Sequence, residues 1–587
     1  METAMEDNLK EVFVVSTNII SSLGFTSEEN IQSIIDLKTG IAESVNPEIY
    51  PEPFQAAVFD REKLNRLIAE NGLSEYSPAV ASGILSILLC CRKTACKPVF
   101  DEKTRLILST TKGNIAALSG KIPPENEVFL DKTAKEISLF FNMGNEPIVI
   151  SNACVSGVSA ITAASRLLET GRADNVFVLG LDFVTAFTVS GFQSFKSISP
   201  QPCRPYDARR DGLSIGEAVG CIWLTNNEKQ ACGERKIRIL SGATSNDANH
   251  ISGPSRTGDG LSLAMENALK YSGIRHEDVD FVNLHGTATV YNDEMESKAM
   301  RLSNLSKTPS GSLKGYFGHT LGASGVIETA VCIESLKCQT LFATLGYEIP
   351  GTSEPLNLAS THKKADIHTF LKTASGFGGF NSAIAFSDRI LPKKKPNKAK
   401  PVFTELLYTV KDNKIARNGE TVFSSAPALP FHDFIKAAYR HLEIDYPKFH
   451  KMDELCKLAF ACFEYMTREI PDFEHINRQK TALVFSTVTS SLDTDIKHRQ
   501  TISDRENYFP SPAVFVYTLP NIMLGEIAIR HRIQGETTCF VGKINENDLQ
   551  EYIRLLAETT DTEFVVYGNV DFLSGKYSAR LKYAFIC

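Results

Sequence analysis

The chain has 587 residues, of which 43% are hydrophobic and 22% are charged. Both fractions are ordinary for a globular protein, so the composition excludes a disordered or collagen-like chain. The 62 basic and 69 acidic residues give a formal net charge of −7. This balance argues against a general nucleic-acid binder, because such affinity comes from excess positive charge. The length predicts about four domain-sized modules, or fewer if the halves of a large α/β fold are fused.

The sequence carries no export or membrane signal. Its start lacks a basic n-region, and its longest apolar run, residues 84–91, is far below the roughly 20 residues of a membrane span. The 13 cysteines are odd in number and include no Cys-x-x-Cys pair, so they indicate neither a zinc site nor a redox dithiol. We therefore expect a cytoplasmic protein with reduced thiols and no metal.

A Lys- and Pro-rich stretch, residues 392–400, divides the chain. It lacks apolar periodicity, so we expect an exposed connector between a long first part and a tail. In the first part, strand-like and helix-like runs alternate, which predicts a layered α/β fold with buried sheets. The predicted strands are residues 106–109, 148–151, 176–179, 219–224, 237–240 and 279–284. The predicted helices are residues 156–168, 261–271, 293–302 and 325–336.

A short internal echo points to two related halves in the first part. The tripeptide Ser-Gly-Val opens a helix of small residues at Ser156 and again at Ser324, each time after a predicted strand and turn. Three matching residues leave open whether the halves are related.

The segment 151–158 places a cysteine between a strand and a helix. Cys154 lies at the predicted helix start, where free amides and the helix dipole favour a thiolate and could hold an oxyanion. The plain alternative is a buried thiol without a chemical role.

Three later segments carry further candidates. His285 ends an apolar strand before a Gly/Thr turn, a position that is commonly functional but is also occupied by capping histidines. Lys314 and His319 lie in a glycine-rich segment before the second Ser-Gly-Val helix, although Lys314 alone could be a surface charge. Residues 375–381 repeat glycine around Phe377, which would free a backbone amide for a ligand or simply form a turn between strands.

In this order, the four segments resemble those of the β-ketoacyl-acyl-carrier-protein synthases of the thiolase superfamily. The resemblance covers residues 11–391 and rests on Ala-Cys-x-Ser-Gly, His-Gly-Thr-x-Thr, Lys-x-x-x-Gly-His and Gly-Phe-Gly-Gly-x-Asn. The paired histidines resemble the elongating branch, since priming synthases carry asparagine in place of the second one. The resemblance implies a thiolase-like layered αβαβα core of two related halves: residues 1–235 with the nucleophile and residues 236–391 with the histidines.

The resemblance also implies a decarboxylative condensation of malonyl-carrier protein with an acyl group held as a thioester on Cys154. The amides of Cys154 and Phe377 would form the oxyanion hole, and Phe377 would gate the acyl pocket. His285 and His319 would bind the malonyl carbonyl and stabilise the enolate. The resemblance implies that Lys314, with Glu296 and Asp293, supports this site. It also implies that Thr287 and Thr289 contact the phosphopantetheine arm.

No bound cofactor is implied, because the substrates are carried on the phosphopantetheine of an acyl carrier protein. That acidic partner could dock on a basic patch of Arg61, Lys63 and Arg66, although an ordinary solvated surface explains these residues equally well. The resemblance further implies a homodimer, or a pseudo-dimer with a ketosynthase-like domain, with no nucleic acid and no membrane span.

Four positions depart from the family pattern: Asn152, Asn292, Gly315 and the segment 109–114 around Lys112. None removes a catalytic group, but they leave the acyl substrate open between fatty-acid elongation and a polyene or polyketide chain. The pattern around Lys112 looks like that of aryl polyene and flexirubin-type synthases. The alternative functions are a non-catalytic chain-length or scaffold subunit and a Cys/His acyl hydrolase.

The tail, residues 401–587, is interpreted as a degenerate, non-catalytic copy of the nucleophile half, similar to chain-length-factor-like proteins. Residues 481–487 echo residues 104–110, and residues 565–572 echo residues 177–183. At the position of the nucleophile this copy has Asn545, and no histidine segment follows. The plain alternative is an unrelated α/β appendage.

Overall fold

The fold is that of a computed structural model, which describes residues 8–118, 127–392, 394–504 and 506–587. In the first part, the strands are β1 (Val12–Ile20), β2 (Ala42–Ser44), β3 (Phe54–Ala57), β4 (Thr104–Ser109), β5 (Ile148–Ile150), β6 (Asn175–Asp182), β7 (Ile215–Gly216), β8 (Ala218–Thr225), β9 (Arg238–Asn246), β10 (Phe281–Asn283), β11 (Pro309–Gly311), β12 (Thr340–Leu341), β13 (Asn357–Leu358), β14 (Lys363–Lys364), β15 (Thr369–Gly376) and β16 (Phe380–Ser387). The helices of this part are α1 (Ser27–Ile35), α2 (Arg61–Glu70), α3 (Pro78–Arg92), α4 (Leu130–Phe140), α5 (Ser156–Glu169), α6 (Ala186–Ser194), α7 (Asp259–Ser272), α8 (Val290–Leu302), α9 (Lys314–Phe317) and α10 (Ser324–Cys338).

The tail alternates strands and helices in the same way. Its strands are β17 (Pro401–Phe403), β18 (Tyr408–Lys411), β19 (Lys414–Arg417), β20 (Glu420–Ser424), β21 (Thr481–Thr487), β22 (Thr537–Val541), β23 (Phe564–Leu573) and β24 (Lys576–Ile586). Its helices are α11 (Phe431–His441), α12 (Glu454–Thr467), α13 (Leu492–Ser503), α14 (Pro512–Val516), α15 (Ile522–His531) and α16 (Glu546–Thr559).

Each strand and helix predicted for the first part overlaps an observed element, and the differences lie at the ends. The largest is in β9, which was predicted to stop at residue 240 but continues to Asn246. The added residues are small or polar, yet all are buried because β9 pairs with β16 along its length. Burial by the neighbouring strand therefore overrides the weak apolar signal of this segment.

Two sheets with the same strand order form the first part. One runs β5–β4–β6–β8–β1 and the other β11–β10–β15–β16–β9. In both, the first two pairings are parallel and the last two antiparallel, so each sheet repeats the other. Helices α5 and α10 pack between the sheets, and outer helices such as α3 and α7 cover them, which gives the expected αβαβα layers.

The two central helices touch through glycine. A Cβ at Gly157 would lie 2.8 Å from the Cα of Gly325, and a Cβ at Gly325 would lie 2.5 Å from the amide of Val158. Only a residue without a side chain permits this approach of one helix backbone to the other. The repeated Ser-Gly-Val motif is therefore a packing contact between two equivalent helix starts.

The tail forms a third sheet of the same kind, with the order β22–β21–β23–β24–β18. Its first two pairings are parallel and its last two antiparallel. Strand β22 also pairs antiparallel with β5 through Phe540 and Ile150, so the tail sheet continues the nucleophile-half sheet edge to edge. The edge strand of each sheet is thereby covered by the other.

A buried ion pair joins the tail to the first part. Arg166 on α5 makes two hydrogen bonds, of 2.7 and 2.8 Å, to the carboxylate of Glu536, and both side chains are buried. Burial by itself raises the free energy of both charges, so the bidentate geometry is needed to offset it.

The connector has exposed residues, among them Lys395, Lys398 and Lys400, and other residues that are bonded to the neighbouring parts. Lys394 donates a 2.8 Å hydrogen bond to Glu169, and the amide of Asn397 donates to the carbonyl of Glu558. Of its residues, Lys393 lies outside the described part of the chain. The connector is therefore held against both the first part and the tail, because its lysines find carboxylates and carbonyls there.

Candidate active site

Cys154 lies where β5 turns into α5. A 3-10 turn, Ala153–Val155, precedes the helix, and Ala153 has a left-handed φ of 49°. The equivalent turn before α10 is Leu321–Ala323, where Leu321 has a φ of 53°. Ala153 and Leu321 are separated by the same number of residues as Ser156 and Ser324. The internal repeat therefore includes a left-handed backbone conformation that residues other than glycine rarely adopt.

The protonation of Cys154 differs from the sequence expectation. Burial raises the pKa of this half-buried thiol to about 12, although the charge of Lys314 acts in the opposite direction. Removal from water therefore outweighs the helix start that was expected to favour the thiolate. A base must take the thiol proton.

His319 is placed to take that proton. Its Nε2 lies 3.0 Å from the sulfur of Cys154, and its Nδ1 lies 3.1 Å from the hydroxyl of Ser324. Burial, with the charges of Lys314 and Lys372, holds the pKa of His319 well below its usual value, so the ring is neutral. Because a hydroxyl both donates and accepts, Ser324 can support either tautomer of this histidine.

His285 completes a compact group with Cys154 and His319. The two imidazole rings are 5.1 Å apart and almost perpendicular. The ammonium of Lys314 lies 3.3 Å from Nδ1 of His285 and 2.7 Å from its carbonyl oxygen. An ammonium can only donate, so Nδ1 accepts and Nε2 carries the hydrogen. Burial and the charge of Lys314 keep the pKa of His285 well below its usual value.

The carboxylate that pairs with Lys314 is Glu328, a residue that the sequence analysis did not single out. Glu328 on α10 accepts a 2.7 Å bond from Lys314 and a 2.5 Å bond from Lys372 on β15. Burial alone would raise its pKa, but the two ammonium groups outweigh burial and lower it. The signal that could have found it is an acidic residue inside an otherwise apolar, small-residue helix.

Glu296 instead fixes the loop that carries His285. Its carboxylate accepts 2.7 Å bonds from the amides of His285 and Gly286, and a 2.8 Å bond from the hydroxyl of Tyr206. Asp293 accepts bonds from the amides of Tyr206 and Ala288, and burial raises its pKa to about 7. Both acids lie on α8 and act on the loop backbone.

Phe377 follows β15 where this strand passes the nucleophile. A Cβ at the preceding Gly376 would lie only 3.1 Å from the amide nitrogen of Cys154. The half-buried ring of Phe377 packs against Phe192 and Phe195, at centroid distances of 6.2 and 5.7 Å. The expected oxyanion and gate residue is thus adjacent to Cys154.

The other predicted residues are less closely grouped. The hydroxyls of Thr287 and Thr289 are hydrogen-bonded to each other at 2.9 Å beside the His285 loop. Arg61, Lys63 and Arg66 all lie on α2, but Arg61 pairs with Glu217 and Lys63 with Glu29. Arg66 is exposed.

The donor atoms of Cys154, His285 and His319 lie within 4.8 Å of one another, a set of ligand types that zinc accepts. The nearby ammonium of Lys314 and the high pKa of the thiol both oppose a divalent cation at this position. The arrangement suits hydrogen bonding to a substrate better than metal binding.

Comparison with known proteins agrees with this geometry. Residues 117–230 match the family model of the β-ketoacyl synthase N-terminal domain, and residues 238–348 match that of its C-terminal domain. Both halves of the first part are therefore similar to the β-ketoacyl synthase family. The chain is 31% identical over 269 residues to the 3-oxoacyl-[acyl-carrier-protein] synthase 2 of Rhizobium meliloti. This match covers 43% of the chain and 64% of that relative, which is less than two thirds of its length.

Solved structures extend the similarity to the tail. A ketosynthase in complex with its chain length factor from Xenorhabdus doucetiae matches with a TM-score of 0.54 and 25% identity, over 64% of this chain and 98% of that one. The PfaC keto synthase–chain length factor matches with a TM-score of 0.75 and 14% identity, over 98% of this chain and 78% of that one. The second likeness concerns the fold alone, but it includes the tail. Within the described residues, no helix has the length and apolar character that crossing a membrane requires.

Proposed function

We propose that the protein is a 3-oxoacyl-[acyl-carrier-protein] synthase that condenses malonyl-carrier protein with an acyl group held on Cys154. The observation that carries this proposal is the enclosed group of one thiol and two neutral histidines beside the Lys314–Glu328 pair. A covalent acyl-enzyme divides the condensation into two easier steps.

In the first step, the thiol of Cys154 attacks the thioester carbonyl of an acyl-carrier protein. His319 takes the thiol proton through Nε2 while its Nδ1–H donates to Ser324. The new carbon–sulfur bond forms, the carrier thiolate leaves, and the proton on His319 neutralises it. The amides of Cys154 and Phe377 stabilise the oxyanion, and one such donor is typically worth about 2.7–4 kcal/mol.

In the second step, malonyl thioester loses CO2 and its electron pair forms an enolate. Nε2–H of His285 donates to the enolate oxygen. Nε2–H of His319 does the same once this ring has changed tautomer, so that its Nδ1 accepts from Ser324. The enolate carbon attacks the acyl carbonyl, and the Cys154 thiolate leaves as the 3-oxoacyl product forms. Loss of CO2 makes this step effectively irreversible.

The partner in both steps is an acyl carrier protein, whose phosphopantetheine arm would pass Thr287 and Thr289. The basic patch on α2 is a weaker docking candidate than the sequence suggested, because two of its three cations are paired within the chain. Of the patch, Arg66 is the residue whose exposure suits an acidic partner best.

We further propose that the tail is a non-catalytic copy of the nucleophile half, similar to a chain length factor. A matching contact supports this: Thr110 donates a 3.0 Å bond to Asp182, and Thr487 donates a 3.0 Å bond to Asp571. In the copy, Asn545 caps α16 where the nucleophile would be, and the two copies pair through β5 and β22 as a pseudo-dimer. Two kinds of acyl substrate are compatible with this proposal: those of fatty-acid elongation and those of polyene or polyketide elongation.

Intact-mass analysis tests the function directly. Purified protein is incubated with acyl-carrier protein, then with malonyl-carrier protein, and both proteins are weighed after each step. We expect the acyl mass on the peptide that holds Cys154, no acyl-enzyme in Cys154→Ala, and a 3-oxoacyl-carrier product only after malonyl addition. Acylation of another cysteine would refute the proposal, whereas release of free acid without malonyl would indicate a hydrolase. Absence of any acyl-enzyme would indicate a scaffold subunit.

The role of the tail is tested by expressing residues 1–391 alone and together with residues 401–587 as a second chain. The first part alone should retain Cys154 acylation, while its solubility, pairing or product length changes and is restored by the tail in trans. Complete loss of acylation in a folded truncate would refute the proposal, and an unrelated appendage would leave all of these properties unchanged.

A further inference from the structure

The turn that follows β15, residues 376–379, is held from two sides, and we refer to it as the gate loop. From the first part, the carbonyl of Ile251 accepts a 2.6 Å bond from the amide of Gly378, and the amide of Asp247 donates a 2.7 Å bond to Gly379. From the tail, the side-chain amide of Asn521 donates a 2.9 Å bond to the carbonyl of Phe377. The peptide unit between Phe377 and Gly378 is therefore hydrogen-bonded at both of its ends.

The side chain of Asn521 is hydrogen-bonded to the gate loop and does not cap its own helix. It is the N-cap residue of α15, yet its side chain makes no capping bond, although asparagine is one of the best caps. The side chain is fully buried, and its Oδ1 has no hydrogen-bond partner within the described residues. Buried polar atoms without partners are rare, and their retention calls for a functional explanation.

Gly525, inside α15, also lies against the gate loop. A Cβ at Gly525 would lie 2.8 Å from the carbonyl oxygen and 3.0 Å from the Cα of Gly378. Glycine weakens a helix interior, so its presence here is explained by the close approach of the gate loop. The first turn of α15 is thus shaped to receive residues 377 and 378.

The same side of the tail is also linked to the ring of Phe377 through the ring of Phe192. Phe515 on α14 lies 5.4 Å from the ring of Phe192, which in turn stacks on Phe377 and lies 6.4 Å from the ring of His319. A displacement of the Phe377 backbone therefore has to break the bond to Asn521, and a displacement of its ring has to separate this aromatic group.

We propose that Asn521 is a positioning residue that holds the backbone of Phe377 in its place beside Cys154, so that the tail controls access to Cys154. This inference rests on the proposed function and on the gate role that the family resemblance implies for Phe377, but the access that Asn521 controls can be measured without substrate. When the bond between Asn521 and the carbonyl of Phe377 breaks, the loop loses its side-chain hydrogen bond from the tail. It keeps the bonds that Asn246, Asp247, Ile251 and Asn381 of the first part make to Gly378 and Gly379.

The experiment measures alkylation of Cys154 by iodoacetamide in the full chain, with the exposed Cys338 as an internal reference for reagent and time. We compare wild type with Asn521→Leu, which keeps the shape of the side chain and removes the donor. The matched control is Asn569→Leu, because Asn569 donates a 2.9 Å bond to the carbonyl of Ile544 inside the tail.

We expect Asn521→Leu to raise the ratio of Cys154 to Cys338 alkylation about 5- to 10-fold, the factor that the free energy of one hydrogen bond supplies. Asn569→Leu should leave this ratio unchanged even if it lowers the melting temperature. Gly525→Ala, whose Cβ would press on Gly378, provides an independent variant and should change the ratio in the same direction.

Equal ratios in wild type and in a folded Asn521→Leu or Asn521→Asp variant would overturn the proposal. If wild type forms no acyl-enzyme but the ratios change as expected, the condensing function fails and the positioning role stands. If wild type condenses and the ratios do not change, the positioning role fails alone. In a condensing enzyme, Asn521→Leu should also alter kcat for long acyl substrates more than KM for the carrier protein.

Discussion

Lys112 and Asp495 form a buried ion pair of 2.7 Å that joins the nucleophile half to the tail. Lys112 belongs to the segment that departs from the family pattern, and Asp495 lies on α13. Asn152, another departure, accepts a 2.8 Å bond from the amide of Cys539 on β22. Two of the unusual residues near the nucleophile are thus explained by contact with the tail.

Removing one member of the Lys112–Asp495 pair should destabilise the protein strongly. Lys112→Met leaves a buried carboxylate without its partner, and we expect a loss of about 3–5 kcal/mol in the free energy of unfolding. The double variant Lys112→Met/Asp495→Leu should recover much of this loss, since neither charge of the pair remains buried. Urea unfolding measures both, with Lys135→Met as a control at an exposed pair. A double variant less stable than the single one would contradict the prediction.

The two histidines should separate the half-reactions. His285→Ala should leave acylation of Cys154 close to the wild-type rate but suppress malonyl decarboxylation, because His285 does not contact the sulfur. His319→Ala should slow both steps, since its Nε2 lies 3.0 Å from the thiol. Single-turnover assays resolve the two rates, with a loss of about 10²–10⁴-fold expected for a removed acid–base group. Equal acylation rates in the two variants would contradict the role of His319 as the base.

Glu328→Gln should cost both stability and activity. It leaves the buried ammonium groups of Lys314 and Lys372 without their shared counter-charge, and we expect a loss of about 3–5 kcal/mol in the free energy of unfolding. Decarboxylation should also fall, because Lys314 orients His285. Glu334→Gln, on the same helix and in an exposed pair, is the control. A Glu328→Gln variant as stable and active as this control would refute the assignment.

The pH dependence should show that both histidines are neutral. Their pKa values in the folded protein lie well below the ordinary value near 6.5, so malonyl decarboxylation should show no inflection there. The unfolded chain binds protons at these groups below about pH 6.5 and the folded chain does not, so stability should fall as the pH decreases through this range. Rate profiles and urea midpoints between pH 5 and 8 check this, and an inflection of the rate profile near pH 6.5 would contradict it.

The order of four motifs along the chain was enough to predict the resemblance to the β-ketoacyl synthases and the layered α/β class. The same motifs named Cys154, His285 and His319, whose ligand atoms lie within 4.8 Å of one another, and Phe377; their roles stay predictions. These are local signals: a residue type at a strand end beside glycine or at a helix start. The tail segment that echoes residues 104–110 forms β21, residues 481–487.

Only the tertiary structure decided which charges pair. Glu328 and Lys372 lie on a central helix and a strand, and their roles depend on how α10 crosses β15, which no local pattern contains. Tertiary burial also reversed the expected pKa shift of Cys154, since removal from water depends on the residues folded around it. The contact of Asn521 with Phe377 joins residues far apart in the chain, so it arises only when the tail sheet pairs with the first part.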